Sequence, residues 1–181
     1  TPTPSPSATA TSTPRPTFTR TPTRPPSPTP SPTALPAGAL TINELLYQPA
    51  PSAGTPEARR EWAELYNALP TAVNLDSFRL GDGEDEDILP AFLLPPGGFV
   101  VVTGLEEAFR ADFPDFAGLL LELEDGILGN GLNNAGDALL LRDPVGRLVD
   151  ALSYGDDTSV FPTPCPLVAA GHSLEREPAG W

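Results

Sequence analysis

A sharp break in composition near residue 36 divides this chain into two kinds of polypeptide. Of residues 1–36, 12 are Pro, 11 are Thr and 5 are Ser, whereas the remaining 145 residues contain only 13 prolines. The first segment has two apolar residues larger than alanine, Phe18 and Leu35, and cannot bury enough surface to offset chain entropy. The sequence predicts a disordered Pro/Thr/Ser-rich segment over residues 1–38 and a folded domain over residues 39–181.

Repeated Thr-Pro and Ser-Pro steps favour an extended polyproline II backbone for the first segment, at about 3.1 Å per residue. Residues 1–36 would then reach on the order of 100 Å and act as a stalk without packed contacts to the domain. The alternative is a tail with no mechanical role. Because the chain begins with Thr and has no signal peptide, we expect it to be a mature or cut piece, so that any export signal would lie upstream.

Charge divides the chain at the same place and excludes two classes of partner. Residues 1–36 carry a net charge of +3 and residues 37–181 a net charge of −17. A strongly acidic domain repels nucleic acid and anionic membranes, because both are bound through basic surfaces. Since no apolar run approaches 18 residues, we expect no membrane insertion. The interpretation is an extracellular or cell-surface protein whose partner is an unknown protein or a cell-surface polymer.

Short apolar runs separated by turn residues predict an all-β domain. The clearest strands are residues 40–47, 61–67 and 99–103, and a hairpin joins 138–142 to 147–154 around Asp143-Pro144-Val145-Gly146. Residues 73–80, 88–94, 119–123, 127–128 and 172–176 are predicted as further strands. One short helix is predicted over residues 105–113. The predicted core residues are Leu65, Phe78, Phe99, Val101 and Leu141, so that Phe99→Ala should cost roughly 3–5 kcal/mol.

The order of these segments resembles the lamin-tail domain in its bacterial secreted form. Among the matching motifs are Ile42-Asn43-Glu44-Leu45, Glu61-Trp62-Ala63-Glu64-Leu65-Tyr66-Asn67, Val73-Asn74-Leu75-Asp76, Leu94-Pro95-Pro96-Gly97-Gly98, Leu132-Asn133-Asn134-Ala135-Gly136-Asp137 and Gly171-His172-Ser173-Leu174-Glu175-Arg176. The resemblance implies an immunoglobulin-like β-sandwich and a non-catalytic module. We therefore expect a binding or spacer module displayed on the stalk. The alternative is an accessory domain of a secreted hydrolase whose catalytic part lies outside this chain.

The acidic segment Asp82-Gly83-Glu84-Asp85-Glu86-Asp87 is a candidate metal site. Ca²⁺ prefers six to eight oxygen ligands, and Asp82, Glu84, Asp85 and Asp87 could supply several of them from one loop. The spacing is not that of an EF-hand, and the alternative is a solvated hairpin turn. The Asn-rich residues 130–137 could likewise bind Ca²⁺ or a sugar, although turn chemistry explains them more simply. We expect no cofactor apart from this candidate cation.

Trp62 and Tyr66 are predicted on the strand face opposite Ala63 and Leu65 and form a candidate partner-binding face. The alternative is that the loop over residues 50–60 or the helix covers them. The sequence has no Gly-x-Ser-x-Gly motif, and His172 is adjacent to Ser173, which a strand would turn to the opposite face. The sequence therefore predicts no catalytic residues. Cys165, the single cysteine, is interpreted as a small apolar loop residue, with an intermolecular disulfide as the alternative.

Overall fold

The computed structural model describes residues 34–177. The chain divides into two units, Thr1–Ser31 and Pro32–Trp181. The predicted disordered segment lies outside the described residues except at its last positions. Among those, Leu35 packs against the domain core, so the expectation that residues 1–36 make no packed contacts is wrong there. The described residues contain no helix that is both long and apolar enough to cross a membrane.

The described part of the chain is built from short strands and one α-helix. The strands are β1 (Leu40–Leu46), β2 (Trp62–Asn67), β3 (Val73–Asn74), β4 (Arg79–Gly81), β5 (Glu86–Ile88), β6 (Leu93–Leu94), β7 (Phe99–Thr103), β8 (Leu119–Glu122), β9 (Gly136–Arg142), β10 (Leu148–Gly155) and β11 (Leu174–Glu175). The helix α1 spans Glu106–Asp112, and a 3₁₀ turn spans Glu57–Arg59. The prediction of an all-β fold with one short helix is confirmed.

Two sheets pack face to face around one core. The first has the order β11-β1-β2-β7-β8, with β7 and β8 parallel and the other neighbours antiparallel. The second has the order β10-β9-β4-β5, and β3 pairs with β6 in a small third sheet. Alternation in β2 turns Ala63 and Leu65 inward, where they join Leu80, Leu141 and Tyr154 of the second sheet in the main core cluster.

The predicted core residues Leu65, Phe78 and Leu141 lie in this cluster, but β7 faces the other way from the prediction. Val100 and Val102 point into the sandwich, because Val100 lies opposite the core residue Leu65 in the strand register. Phe99 is 44 % exposed on the other side of the sheet. Val101 is buried on that same side, beneath α1 rather than between the sheets. Apolar and polar residues do not alternate in Phe99–Thr103, so the sequence does not indicate which face of β7 is buried.

Three predicted strands also differ from the structure. The segment predicted as one strand over residues 73–80 is divided into β3 and β4 by a turn in which Ser77 has a φ of 62°. The segment over residues 88–94 contributes to both β5 and β6, and residues 127–128 form no strand. Asp76 and Ser77 form the first of these breaks, and Pro90, which has no N–H to donate to a strand ladder, falls at the second. Gly126 and Gly129, both at positive φ, flank residues 127–128.

Candidate functional site

Three glutamates stand in a row across the side of the five-stranded sheet that faces away from the core, which we call the outer face. Glu44 on β1 lies opposite Glu175 on β11 and opposite Glu64 on β2 in the strand register. Glu64 in turn lies opposite Val101 on β7. Like charges directly opposite each other in a sheet are destabilising. This glutamate row therefore costs the fold stability at a position where opposite charges would be expected.

No arginine neutralises the glutamate row in the described residues, where every ion pair involves other carboxylates. The Asn43 amide donates to Glu64 Oε1 at 2.8 Å, and the Ser173 hydroxyl donates to Glu44 Oε1. Burial raises the pKa of the Glu64 carboxyl above its usual range. The Asn43 hydrogen bond opposes this shift, and the charges of Glu44 and Glu175 add to it.

Trp62 borders the glutamate row on one side but is not an exposed residue. Its indole packs edge-on against Phe109 of α1 and against Phe113, with ring centroids 5.9 Å apart in both pairs. Helix α1 therefore covers Trp62, which is 7 % exposed. Of the two interpretations given for Trp62, cover by the helix region applies, because the Phe109 and Phe113 rings bury the indole. The Trp62 indole Nε1 is left without a hydrogen-bond acceptor among residues 34–177.

Tyr66 borders the glutamate row on the other side and remains partly exposed. Its ring stacks on Phe99, with centroids 4.6 Å apart and an interplanar angle of 29°. The two residues lie opposite each other in the pairing of β2 with β7. Tyr66 therefore stays a predicted partner-binding residue, and its aromatic neighbour on the exposed part of this face is Phe99 and not Trp62.

Two adjoining depressions make the outer face concave around the glutamate row. A cavity of about 270 Å³ lies towards Phe99 and Glu175, and one of about 240 Å³ lies towards Trp62 and Ser173. Both are lined by Glu44, Glu64, Val101 and Phe116. We call the two together the outer groove; it combines carboxylates with aromatic walls.

The acidic segment over residues 82–87, for which a Ca²⁺ site and a solvated hairpin turn were the two interpretations, is a tight turn between β4 and β5. Asp82 is buried, and its Oδ1 accepts the backbone N–H groups of Glu84 and Asp85 at 2.8 Å. Its Oδ2 accepts the N–H of Asn130 at 2.9 Å, and Asp87 Oδ2 accepts the N–H of Gly129 at 2.8 Å. These two carboxylates thus hold the turn at residues 129–130 against the hairpin.

The other acids of the segment do not converge with Asp82 and Asp87. Glu84 accepts a hydrogen bond from the Asn130 amide, Asp85 is exposed, and Glu86 pairs with Arg142 at 2.8 Å. Over residues 34–177 no group of three or more His, Cys, Asp or Glu side chains is arranged to hold a metal ion. The Asn-rich residues 130–137 use their polar groups for turns, as in the Asn133 Oδ1 contact with the N–H of Ala135.

The sequence model of the Lamin Tail Domain matches residues 33–156, more than half of the chain. The chain belongs to the lamin tail domain family. The predicted resemblance is thus confirmed, and with it the immunoglobulin-like sandwich. No curated protein matches the chain.

One solved structure similar to this lamin tail domain is a DUF4876 family protein from Bacteroides thetaiotaomicron. The sequence identity is 15 % and the TM-score is 0.44. The match covers 69 % of this chain and 56 % of that chain, so this chain spans little more than half of that protein's length.

Glu61, which was not among the predicted site residues, is the carboxyl whose pKa is raised most among residues 34–177 of this lamin tail domain. It is 2 % exposed, and its Oε2 accepts the N–H of Leu132 at 2.9 Å. Burial raises the pKa of Glu61 from 4.5 to about 8; the Leu132 hydrogen bond opposes this, and Glu57, Asp137 and Asp82 add to it. A sequence signal existed, because Glu61 has the same parity as the inward-facing Ala63 and Leu65.

We expect Asp82→Ala to lower the free energy of unfolding of this lamin tail domain by about 2–4 kcal/mol, because backbone N–H groups lose a charged acceptor. Gly129, whose φ is +57°, lies so close to this carboxylate that a Cβ there would be 2.6 Å from Asp82 Oδ2, so the turn at residues 129–130 packs directly on Asp82. Asp85→Ala is the control, since its carboxylate accepts only the exposed N–H of Glu86. Urea unfolding of both variants gives the comparison; equal losses would contradict the structural role of Asp82.

Proposed function

We propose that this chain is a non-catalytic binding module that works outside the cell, with residues 1–38 as the stalk that carries it. The glutamate row supports this proposal most directly. A row of like charges on a sheet costs stability, and a binding site is a reason for a protein to keep such a cost. The neighbouring Tyr66–Phe99 stack supplies exposed aromatic surface, which is common at binding sites.

The partner is a protein or a polymer at the cell surface, bound on the outer face. The domain's net charge of −17 over residues 37–181 opposes a polyanionic partner. A Pro/Thr/Ser-rich stalk would act as a spacer for the domain, since an extended chain gains about 3.1 Å per residue. The composition of the stalk is also that of O-glycosylated segments of surface proteins.

The proposal is tested by the binding of the fluorescently labelled full chain to intact cells of the source organism. We expect saturable binding that weakens at least tenfold when Tyr66→Ala and Phe99→Ala are combined. The matched control combines Val145→Ala and Leu148→Ala, which remove exposed apolar side chains from the β9–β10 hairpin. Equal binding of both double variants, or no saturable binding, would overturn a binding role for the outer face.

The location is tested separately with an antibody against residues 39–181. We expect the antibody to label intact cells of the source organism, with lysed cells as the control for total antigen. Labelling only after lysis would overturn the extracellular part of the proposal.

A further inference from the structure

We propose that the outer groove binds an arginine side chain presented by a partner protein. This inference rests on the proposed binding function and names the chemistry of its ligand. It starts from the unbalanced charge of the glutamate row: three carboxylates lie side by side in the register of β11, β1 and β2 without an ion pair in the described residues. A cation between them would replace repulsion with attraction.

The hydrogen bonds of the row leave acceptors for that cation. Glu64 and Glu44 each use Oε1, towards Asn43 and Ser173 respectively. Over residues 34–177 the second oxygen of each accepts no hydrogen bond, and both residues line both cavities of the groove. A planar guanidinium has five N–H donors in a fixed fork and can bond two carboxylate oxygens at once.

The walls of the groove favour arginine over a smaller cation. Phe99 and Phe116 line the cavity that also contains Glu64 and Glu175, and the exposed Phe99 ring stacks on Tyr66. Guanidinium groups stack on aromatic faces and are more weakly hydrated than ammonium groups. They therefore lose less hydration free energy when they enter a groove with aromatic walls. The aliphatic part of the side chain would pack on Val101 at the end of the row.

A second observation indicates that the ligand is part of a peptide. Trp62 lines the other cavity, is 93 % buried, and its Nε1–H has no acceptor within residues 34–177. A buried donor without an acceptor costs free energy that a peptide carbonyl would recover. Phe113, which packs edge-on against Trp62 and is 38 % exposed, is the side chain that would move to admit it.

The test is an NMR titration of the isotope-labelled full chain at low salt with the peptide acetyl-Leu-Arg-Leu-Arg-Leu-amide. The matched peptide replaces each arginine with citrulline, which keeps the shape and removes the charge. We expect saturable shifts at the amides of Glu44, Glu64 and Tyr66, with at least tenfold weaker binding of the citrulline peptide. We also expect the Trp62 indole N–H signal to move.

Variants of the protein complete the test. Glu44→Gln combined with Glu64→Gln should weaken arginine-peptide binding at least tenfold, whereas Glu124→Gln, an exposed acid outside the groove, should leave binding unchanged. Near-wild-type amide spectra of the variants show that they are folded. Equal binding of both peptides, shifts centred on residues 82–87, or no saturable shift would each overturn the inference.

The outcomes separate this inference from the proposed function. If the chain binds cells through the outer face but does not distinguish arginine from citrulline, only the arginine site is wrong. If the arginine peptide binds the groove but the chain does not bind cells, the proposed function fails while the site stands. A lysine peptide that binds as tightly as the arginine peptide would show a general cation site and overturn the preference for guanidinium.

Discussion

Leu65→Ala is expected to lower the free energy of unfolding by about 2–5 kcal/mol, which is a large share of the ~5–15 kcal/mol typical of a whole domain. Leu65 is completely buried between the sheets, where it lies opposite Val100 in the register of β2 with β7. The substitution removes apolar contacts and leaves a cavity that residues of two separate sheets must close. Urea unfolding monitored by circular dichroism measures the loss.

Phe99→Ala, next to Val100 on β7, is the matched control. Because Phe99 is 44 % exposed and packs mainly on Tyr66, its removal should cost about 1 kcal/mol or less. This replaces the roughly 3–5 kcal/mol that follows if Phe99 is placed in the core. A loss for Phe99→Ala as large as that for Leu65→Ala would mean that β7 has the opposite face inward.

Stability should fall as the pH rises from about 5 to 8, with Glu61 as the largest single cause. The pKa of Glu61 is about 8 in the folded domain and close to 4.5 in the unfolded chain, so the folded state binds the extra proton between these values. The stabilisation is complete below the unfolded pKa and is lost as the pH passes the folded pKa. Burial raises the pKa of Asp87 to about 6, so Asp87 also lowers stability as the pH rises, but over a lower pH range than Glu61.

Glu61→Gln should flatten this pH dependence because the amide cannot ionise yet still offers an oxygen to the Leu132 N–H. Glu61→Ala should flatten it as well but cost about 1–3 kcal/mol relative to the wild type at pH 5, since it leaves that buried N–H without an acceptor. Urea midpoints of the three proteins at pH 5 and pH 8.5 separate the two effects. If the stability of the Glu61→Gln variant depends on pH as strongly as that of the wild type, other carboxyls cause the pH dependence.

Several features of the fold could be predicted because each rests on local chemistry. Alternation in β2 placed Leu65 inward and Glu64 outward, and the turn residues Pro144 and Gly146 marked the hairpin between β9 and β10. The apolar spacing of Leu105 to Phe113, with Glu106 in the first turn, was sufficient to place α1.

The candidate site could be predicted only in part. Trp62 and Tyr66 were assigned to the correct side of β2, but whether α1 covers either of them depends on where the helix packs. The glutamate row joins residues 44, 64 and 175, and no local pattern brings residues as distant in sequence as Glu44 and Glu175 into one register. Asp82 and Asp87 were noted for their charge, yet each accepts a backbone N–H group more than 40 residues away in the sequence.

The sequence by itself determined the break between the Pro/Thr/Ser-rich segment and the acidic domain, the all-β class and the positions of most strands, since composition and period are properties of neighbouring residues. Only the tertiary structure decided which face of β7 is buried, because a continuous apolar run suits either side of a sheet. It also decided which carboxylates are desolvated. Burial is set by the elements that pack over a residue, and these elements come from distant parts of the chain.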